Sequence, residues 1–254
     1  LITSSAASDV YKRQNKGLEI KKKELEEFRK KFEQKDKNDS VIKNMWNLMS
    51  ERNISKKIVD DLFDGVNSDL KNEVRIETEK ELLIYSYRVA GTVGLMMAKI
   101  FGVKKKESLQ RAIDLGIAMQ LTNIARDVVE DEKKNRVYLI KSSNDIFQSI
   151  KNIILKADSF YDSSFEGIRD IPLNSRFSII VARRVYRQIG KKILDKKDIQ
   201  NYRRSGKIYV SNFGKVIQTF FSLKDLIILF FLKKKKYEKE LEYNLISEDI
   251  GLNE

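Results

Sequence analysis

The most informative part of this chain is Gln120-Leu121-Thr122-Asn123-Ile124-Ala125-Arg126-Asp127-Val128-Val129-Glu130-Asp131. On an α-helix, residues four apart share a face, so Asn123, Asp127 and Asp131 stand in one row, with Gln120 a turn earlier. One amide and two carboxylates that point the same way form an oxygen-rich surface, which suits a hard cation such as Mg²⁺. The stretch therefore predicts a helix that carries a cation-binding face.

The chain has 254 residues and contains neither His nor Cys. Without these residues it has no Ser-His or Cys-His nucleophile pair, no zinc site of the usual type and no disulfide. The oxygen-rich helix is therefore the one feature of the sequence that indicates demanding chemistry. The lack of Cys is compatible with a reducing compartment, and we expect a cytoplasmic protein.

Composition predicts an all-α protein, because the chain has one Pro and 11 Gly and is rich in Leu, Ile, Lys and Glu. Its length suffices for one domain with a substantial core. The only proline, Pro172, marks a break between helices. No segment shows the alternation of a strand, and hydrophobic periodicity predicts helices at Lys16–Gln34, Val41–Glu51, Ser55–Leu70, Thr78–Phe101, Lys106–Glu130, Ser142–Phe165, Ser175–Lys196 and Val216–Leu232.

The net charge of +13 has two interpretations. It favours polyanionic partners such as diphosphates or an anionic membrane surface, and it is equally typical of the Lys-, Ile- and Asn-rich proteins of AT-rich genomes. Because the lysines are spread along the chain and no nucleic-acid-binding motif is present, we expect no nucleic-acid partner.

The C-terminal apolar segment Leu226–Leu232 precedes four lysines, Lys233–Lys236. Lys224 and Asp225 interrupt it, and a membrane-spanning helix needs about 20 apolar residues, so we predict a buried last helix. The pattern leaves a peripheral contact with the inner membrane open. Residues 236–254 form a charged tail.

The first 14 residues differ from the rest of the chain. They lack an initiator Met and the basic start and apolar core of a signal peptide, and the Lys- and Glu-rich helical composition begins abruptly at Asn15. Residues 1–14 resemble translated adapter sequence, and we predict that they are foreign and disordered.

Two aspartates four residues apart are weak evidence for a metal site by themselves, since such pairs usually lie on a solvent-exposed helix face. Asp60 and Asp64 have the same spacing as Asp127 and Asp131, but they lack flanking amides. We therefore interpret Asp60 and Asp64 as surface residues and reserve the cation site for the second pair.

Longer motifs around the second pair resemble the squalene/phytoene synthase family. One motif is Tyr85–Met97, which contains Ala90-Gly91-Thr92-Val93-Gly94, and another is Leu115–Asp131 followed by Arg136-Val137-Tyr138-Leu139. Ile171-Pro172-Leu173 and Val185–Gly190 match the same pattern. The residues at the motif positions are most similar to those of bacterial phytoene synthases. The resemblance covers about Lys16 to Val216.

This resemblance implies an all-α isoprenoid-synthase bundle around a central prenyl cavity, as a single domain over residues 15–235. It implies that two geranylgeranyl diphosphates join head to head and form phytoene through a cyclopropyl diphosphate, the first step of carotenoid synthesis. Diphosphate leaves readily only when its charge is neutralised, which carboxylate-bound Mg²⁺ achieves, and no protein nucleophile is needed.

The family's functional residues map onto positions of this chain. The implied metal ligands are Asp127, Asp131 and Asn123, and the implied substrate-binding residues are Gln120, Asn123, Arg126, Arg136 and Tyr138. Tyr85 matches an active-site tyrosine, and Tyr202 loosely matches a second one. Arg126 lies one residue off the row, and we predict that it pairs with Glu130.

The small residues Ala90–Gly94 have two compatible interpretations. They allow close helix packing, or they leave room for a long prenyl tail. Sequence does not separate them.

The family's first aspartate motif, expected just upstream of Lys16, is missing, and Ile140 replaces a proline. We therefore expect an N-terminally truncated domain that lacks its first helices. We expect little or no activity from residues 1–254 alone. The alternatives are a squalene- or dehydrosqualene-type synthase that uses farnesyl diphosphate, a non-catalytic relative that acts as an assembly factor, and a basic helical binding module. The sequence does not indicate an oligomeric state.

Overall fold

The computed structural model describes residues 17–140, 145–231 and 237. Within these ranges the chain is helical, as the composition predicts. The helices are α1 Leu18–Glu33, α2 Ser40–Arg52, α3 Lys56–Ser68, α4 Glu79–Ser86, α5 Thr92–Ile100, α6 Lys106–Glu132, α7 Ile146–Ser164, α8 Leu173–Leu194, α9 Ile199–Arg204 and α10 Asn212–Phe231. The predicted foreign segment, Lys233–Lys236 and all of the predicted tail except Tyr237 lie outside the described residues.

The predicted helix Thr78–Phe101 is not continuous. Thr78 and Glu81 form a reciprocal capping box that starts α4, and a π-helical turn at Tyr87–Gly91 separates α4 from α5. A π-turn adds one residue to a helical turn and so shifts the following side chains around the axis. Hydrophobic periodicity did not reveal this turn, because both flanking helices keep the same apolar character.

Two short strands correct the expectation that no strand is present. β1, Val74–Arg75, pairs in parallel with β2, Arg136–Val137, with Val74 opposite Arg136. Strands of two residues are too short to produce a periodic pattern. The pairing ties the segment after α3 to the segment after α6, and this brings two distant parts of the chain to one end of the bundle.

The central helix is α6, which packs against α5, α7 and α8. Its inward residues Ile113, Ile117 and Leu121 are completely buried. At the crossing with α5 and the π-turn the two backbones nearly touch: a Cβ on Gly94 would collide with the carbonyl oxygen of Ala112, and a Cβ on Gly116 with that of Ala90. Close helix packing therefore requires these glycines.

The last described helix, α10, lies on α8 and is less buried than we predicted. Only Ser222 and Leu229 of this helix are buried, whereas Phe213, Phe220 and Phe231 are 75%, 69% and 83% exposed. The expectation of a buried last helix is thus wrong for its outward face. In the part of the chain that the structure describes, no helix is long and apolar enough to cross a membrane.

Candidate active site

A cavity of about 1220 Å³ runs along most of α6. Its middle wall is apolar and is formed by α5, α6, α8 and the turn before α8. The wall residues include Val93, Met97, Leu115, Met119, Ile168, Ile171 and Ile179. A long apolar chain therefore fits the centre of the bundle, beside a helix that also carries carboxylates.

The polar row predicted from the sequence lies at one end of this cavity. Gln120, Asn123, Asp127 and Asp131 all line the wall, in the order that helical spacing requires. Asn123 Nδ2 faces Gln120 Oε1 at 3.5 Å. The structure thus brings both carboxylates and both amides to one surface of α6.

Arg126 contacts Asp127 rather than the predicted Glu130. Its Nε and Nη2 donate to the two carboxylate oxygens of Asp127 at 2.8 Å and 2.6 Å. Glu130 is paired instead with Lys207, whose Nζ lies 2.9 Å from Glu130 Oε2 and 3.5 Å from Asp127 Oδ1. The predicted pair fails because Lys207, distant in sequence, supplies a cation to Glu130.

These cations keep Asp127 ionised. Burial works to raise the pKa of its carboxyl, but the hydrogen bonds and charge of Arg126, together with the charge of Lys207, outweigh burial and lower that pKa. The polar end therefore holds a carboxylate with positive charges directly beside it. Such an arrangement suits a ligand that contains both a cation and an anion, such as a metal diphosphate. The metal ion would meet the carboxylate, and the diphosphate would meet the positive side chains.

The residues at this end fit Mg²⁺. Asn123 Oδ1 is buried without a hydrogen-bond partner, although it is a strong acceptor on the cavity wall. Mg²⁺ is usually held by one or two carboxylates, with phosphate oxygens and water completing its octahedron, and Asp127, Asp131 and Asn123 supply such ligands. No group of three acidic side chains able to hold a metal occurs among the residues described. A cation here would therefore depend on substrate oxygens as well.

Asp69 is a buried cavity residue that the sequence analysis did not select. Its carboxylate accepts hydrogen bonds from Tyr138 at 2.6 Å and from Tyr85 at 3.2 Å, and these two rings stack with centroids 4.8 Å apart. Arg136 donates to the Asp69 backbone carbonyl at 2.8 Å. Three residues with predicted roles, Tyr85, Arg136 and Tyr138, are thus organised around one aspartate.

In the sequence Asp69 is only one more acidic residue just after α3, near Asp60 and Asp64, and no motif quoted above contains it. Its role depends on the pairing of β1 with β2, since Tyr138 is 69 positions away. Spacing on a single helix could not have linked these residues.

Tyr202 lies on α9, outside the cavity wall. Its buried hydroxyl group contacts the backbone carbonyls of Ala125 and Arg126 at 2.9 Å and 2.8 Å. It therefore supports the carbonyl side of α6 directly behind the polar row. This placement favours a positioning role, whereas Tyr85, Arg126, Arg136 and Tyr138 do line the cavity.

The structure shows that both interpretations of Ala90–Gly94 apply. A Cβ added to Gly91 would clash with the Tyr87 ring of the same π-turn, and one added to Gly94 would clash with the Ala112 backbone on α6. Ala90, Val93 and Gly94 line the cavity as well. Packing explains the glycines, and the space that the small residues leave forms part of the cavity.

Four buried tyrosines predict a loss of stability at alkaline pH. Burial is the largest cause that raises the pKa of Tyr85, Tyr138, Tyr161 and Tyr202 above the ordinary value of about 10. Above that pH the unfolded chain releases these protons while the native chain keeps them, so the free energy of unfolding falls as pH rises, by up to about 1.4 kcal/mol per pH unit for each tyrosine.

Urea unfolding between about pH 8 and about pH 11, with tyrosinate absorbance recorded in parallel, checks this prediction. Tyr161→Phe should reduce the slope, whereas Tyr209→Phe, at an exposed position, should not. A free energy of unfolding that stays constant over this range would contradict the prediction.

An all-α bundle closed around one apolar cavity, with a carboxylate-bearing helix along its length, is an isoprenoid-synthase fold. The chain belongs to the squalene/phytoene synthase family, whose model matches residues 6–213. The match begins inside the predicted foreign segment, and the foreign origin of residues 1–14 remains a prediction.

The chain is similar to several phytoene synthases. It is 39% identical over 140 residues to the 15-cis-phytoene synthase of Enterobacter agglomerans, which is 48% of each chain. It is 36% identical over 180 residues to the chloroplastic phytoene synthase of an Oncidium hybrid cultivar, covering 62% of this chain and 43% of that protein. The chain thus spans about half the length of the curated relatives it matches.

Solved structures agree with the fold. A dehydrosqualene synthase in complex with a ligand superimposes with a TM-score of 0.67 at 25% identity, over 88% of this chain and 86% of that one. A squalene synthase from Alicyclobacillus acidocaldarius, 16% identical, superimposes with a TM-score of 0.59 over 78% of this chain and 81% of that one. The second likeness supports the fold alone.

Proposed function

We propose that this protein is a prenyltransferase that joins two geranylgeranyl diphosphates head to head, through a cyclopropyl diphosphate, to give phytoene. The observation that carries the proposal is the continuity of the site: one cavity joins the Asn123–Asp127–Asp131 row to an apolar channel. The similarity to phytoene synthases of bacteria and plants supports the choice of product.

The residues of the polar end divide into anionic and cationic groups. Asp127, Asp131 and Asn123 would hold Mg²⁺, which when bound neutralises the charge of the leaving diphosphate. Arg126, Arg136 and Lys207 line the same end and bind the remaining negative charge of the diphosphate. The allylic carbons then lie toward Tyr85, at the start of the apolar wall.

The apolar wall protects the reacting carbons from water. Stacked Tyr85 and Tyr138 present aromatic faces, which attract cations, beside the buried carboxylate of Asp69. Because the pKa of each phenol is raised, both hydroxyl groups stay protonated at neutral pH and are poor nucleophiles. These residues thus favour an allylic cation without capturing it.

The alternative within the same chemistry is a synthase that uses farnesyl diphosphate, and the likeness to a dehydrosqualene synthase favours it. Incubation with each diphosphate separately, followed by identification of the hydrocarbon, decides between them. Phytoene from the C20 substrate supports our proposal, and squalene or dehydrosqualene from the C15 substrate supports the alternative. Tight binding of both without turnover would agree with the little or no activity that we expect of this chain, and would not separate a truncated synthase from a non-catalytic relative.

We also infer a peripheral contact between α10 and an anionic lipid surface. Its outward face carries Phe213, Phe220, Ile227 and Phe231, all more than half exposed, and Lys215 and Lys224 are exposed on the same helix. An apolar face beside lysines is typical of helices that lie in the membrane interface. Such a contact suits an enzyme with a water-insoluble product.

Sedimentation with phosphatidylglycerol vesicles checks this contact. The double substitution Phe220→Ser and Ile227→Ser should weaken vesicle binding by at least about tenfold, because two interfacial side chains are removed. The matched control is Val41→Ser with Leu155→Ser, which are similarly exposed but lie elsewhere. Equal binding by both double variants would argue against this surface, and a change in oligomeric state would assign it to a second copy.

A further inference from the structure

The end of the cavity opposite the carboxylates, at the start of α6, is lined by polar side chains among apolar ones. Ser108, Arg111 and Ser164 line it beside Phe101 and Val103, and we call the three polar residues the polar floor. Arg111 is buried, as are Ser108 and Ser164, although the cavity above them is apolar. A charged side chain at the end of an apolar channel is unexpected, because the channel itself offers it no partner.

The polar floor is held rigidly from outside the cavity. Arg111 donates to the Ser163 carbonyl at 2.5 Å and to Glu166 at 3.1 Å, and its guanidinium lies 5.2 Å from the Tyr237 ring centre. Ser108 donates to Asp170 at 2.5 Å. These bonds fasten the start of α6 to the end of α7 and to the 3₁₀ turn Phe165–Asp170. An apolar ligand could pass the floor only by breaking buried charge-assisted hydrogen bonds.

The depth of the cavity follows from the length of α6. Arg111 precedes Asn123 by 12 residues and Asp127 by 16, which corresponds to about 18 Å and about 24 Å along a helix that rises about 1.5 Å per residue. The diphosphate and its cation occupy the first part of this distance. Arg111 is the floor residue nearest the carboxylates on α6, so the space left for an extended tail above the floor is close to the smaller value.

Prenyl tails can be compared with this depth. An extended chain advances about 3.5 Å over three backbone bonds, or about 1.2 Å per bond. At that advance a C15 tail of about 12 bonds spans about 14 Å, a C20 tail of about 16 bonds about 19 Å, and a C25 tail of about 20 bonds about 24 Å. The C20 tail reaches the floor, the C15 tail stops short of it, and the C25 tail would have to pass it.

We propose that the polar floor around Arg111 and Ser108 is a length stop that sets the longest accepted prenyl tail at C20. The inference rests on the proposed function and adds the residues that select the substrate within it. The stop works by exclusion: a tail that fills the channel gains its full burial, and the next isoprene unit meets hydrogen-bonded charges that it cannot replace.

Binding of unreactive S-thiolodiphosphates with C10, C15, C20 and C25 tails, measured by calorimetry with Mg²⁺ present, tests the proposal without requiring turnover. Affinity should rise up to C20, and the C25 analogue should bind at least about tenfold more weakly than C20. Two variants should move this optimum in opposite directions.

Ala112→Phe adds a ring beside the floor, at a half-exposed position on the cavity wall, and should move the optimum to C15. Arg111→Met combined with Glu166→Leu replaces the buried ion pair by apolar side chains and should let C25 bind at least as tightly as C20. Gln110→Phe, on the same helix but outside the cavity wall, is the matched control and should keep the C20 optimum.

The outcomes separate the two proposals. Affinity that keeps rising to C25 in the unaltered protein, or an optimum that stays at C20 in both cavity variants while they remain folded by circular dichroism, overturns the length stop alone. Absence of binding at every tail length overturns the proposed function and the length stop with it. A structural role of Arg111 would lower the melting temperature without changing the preferred length.

Discussion

Replacing Asp127 or Asp131 by asparagine is expected to weaken Mg²⁺-dependent binding of geranylgeranyl S-thiolodiphosphate by about 100-fold or more, because each change removes a carboxylate that we propose as a ligand of the cation. Release of diphosphate from geranylgeranyl diphosphate, the proposed substrate, should fall by roughly 100- to 1000-fold wherever turnover is measured. Calorimetry with and without Mg²⁺ checks the first effect, and a diphosphate-release assay checks the second.

The fold should survive both changes. Asp127→Asn leaves the half-buried Arg126 without its charged partner and should cost about 1–2 kcal/mol in the free energy of unfolding. Thermal melting followed by circular dichroism therefore distinguishes a lost cation site from a lost fold.

The chain contains its own matched control for this experiment. Asp60 and Asp64 have the same four-residue spacing on α3, but each is paired on the outside of the bundle, with Lys56 and with Arg29. Asp60→Asn and Asp64→Asn should leave analogue binding unchanged and alter stability by less than about 1 kcal/mol. If all four variants bound the analogue equally well in Mg²⁺, the row on α6 would not be a metal site.

Gly94→Ala and Gly116→Ala are expected to be the most destabilising single methyl additions in the described chain. Each new Cβ would collide with a backbone carbonyl oxygen of the facing segment, and backbone cannot rotate away as a side chain can. We expect each change to lower the free energy of unfolding by about 3 kcal/mol or more. For a chain of this size that corresponds to a fall in melting temperature on the order of 10 °C.

Gly17→Ala is the control for the loss of a glycine itself. It lies just before α1 with no atom within 4 Å of an added Cβ, so its effect should stay below about 1 kcal/mol. Equal melting temperatures for Gly116→Ala and Gly17→Ala would show that α6 does not approach the π-turn as closely as described.

Features within one helix were predictable from the sequence. The Asn123–Asp127–Asp131 row depends only on the rise and rotation per residue of an α-helix. The structure places all three residues together on the cavity wall, on one face of α6. The all-α class and the family were predictable for a related reason, since composition and contiguous motifs determine them. Both expectations are confirmed by the fold and by the comparisons.

Pairings between distant residues were not predictable. Arg126 had Glu130 within reach on its own helix, yet Lys207 binds Glu130 and leaves Arg126 to Asp127. Asp69 gained its place between Tyr85 and Tyr138 only because β1 pairs with β2. In both cases the residue that decides the pairing, Lys207 or Tyr138, comes from another part of the chain. No local spacing therefore indicates it.

The sequence by itself determined which helix carries the carboxylates and which residues of that helix face one way, because helical geometry is local. Only the tertiary structure decided what surrounds that face: the cations beside Asp127, the tyrosines around Asp69, the polar floor below the cavity and the exposed side of α10. These features depend on which elements pack together, and packing depends on contacts across the whole chain that no single stretch encodes.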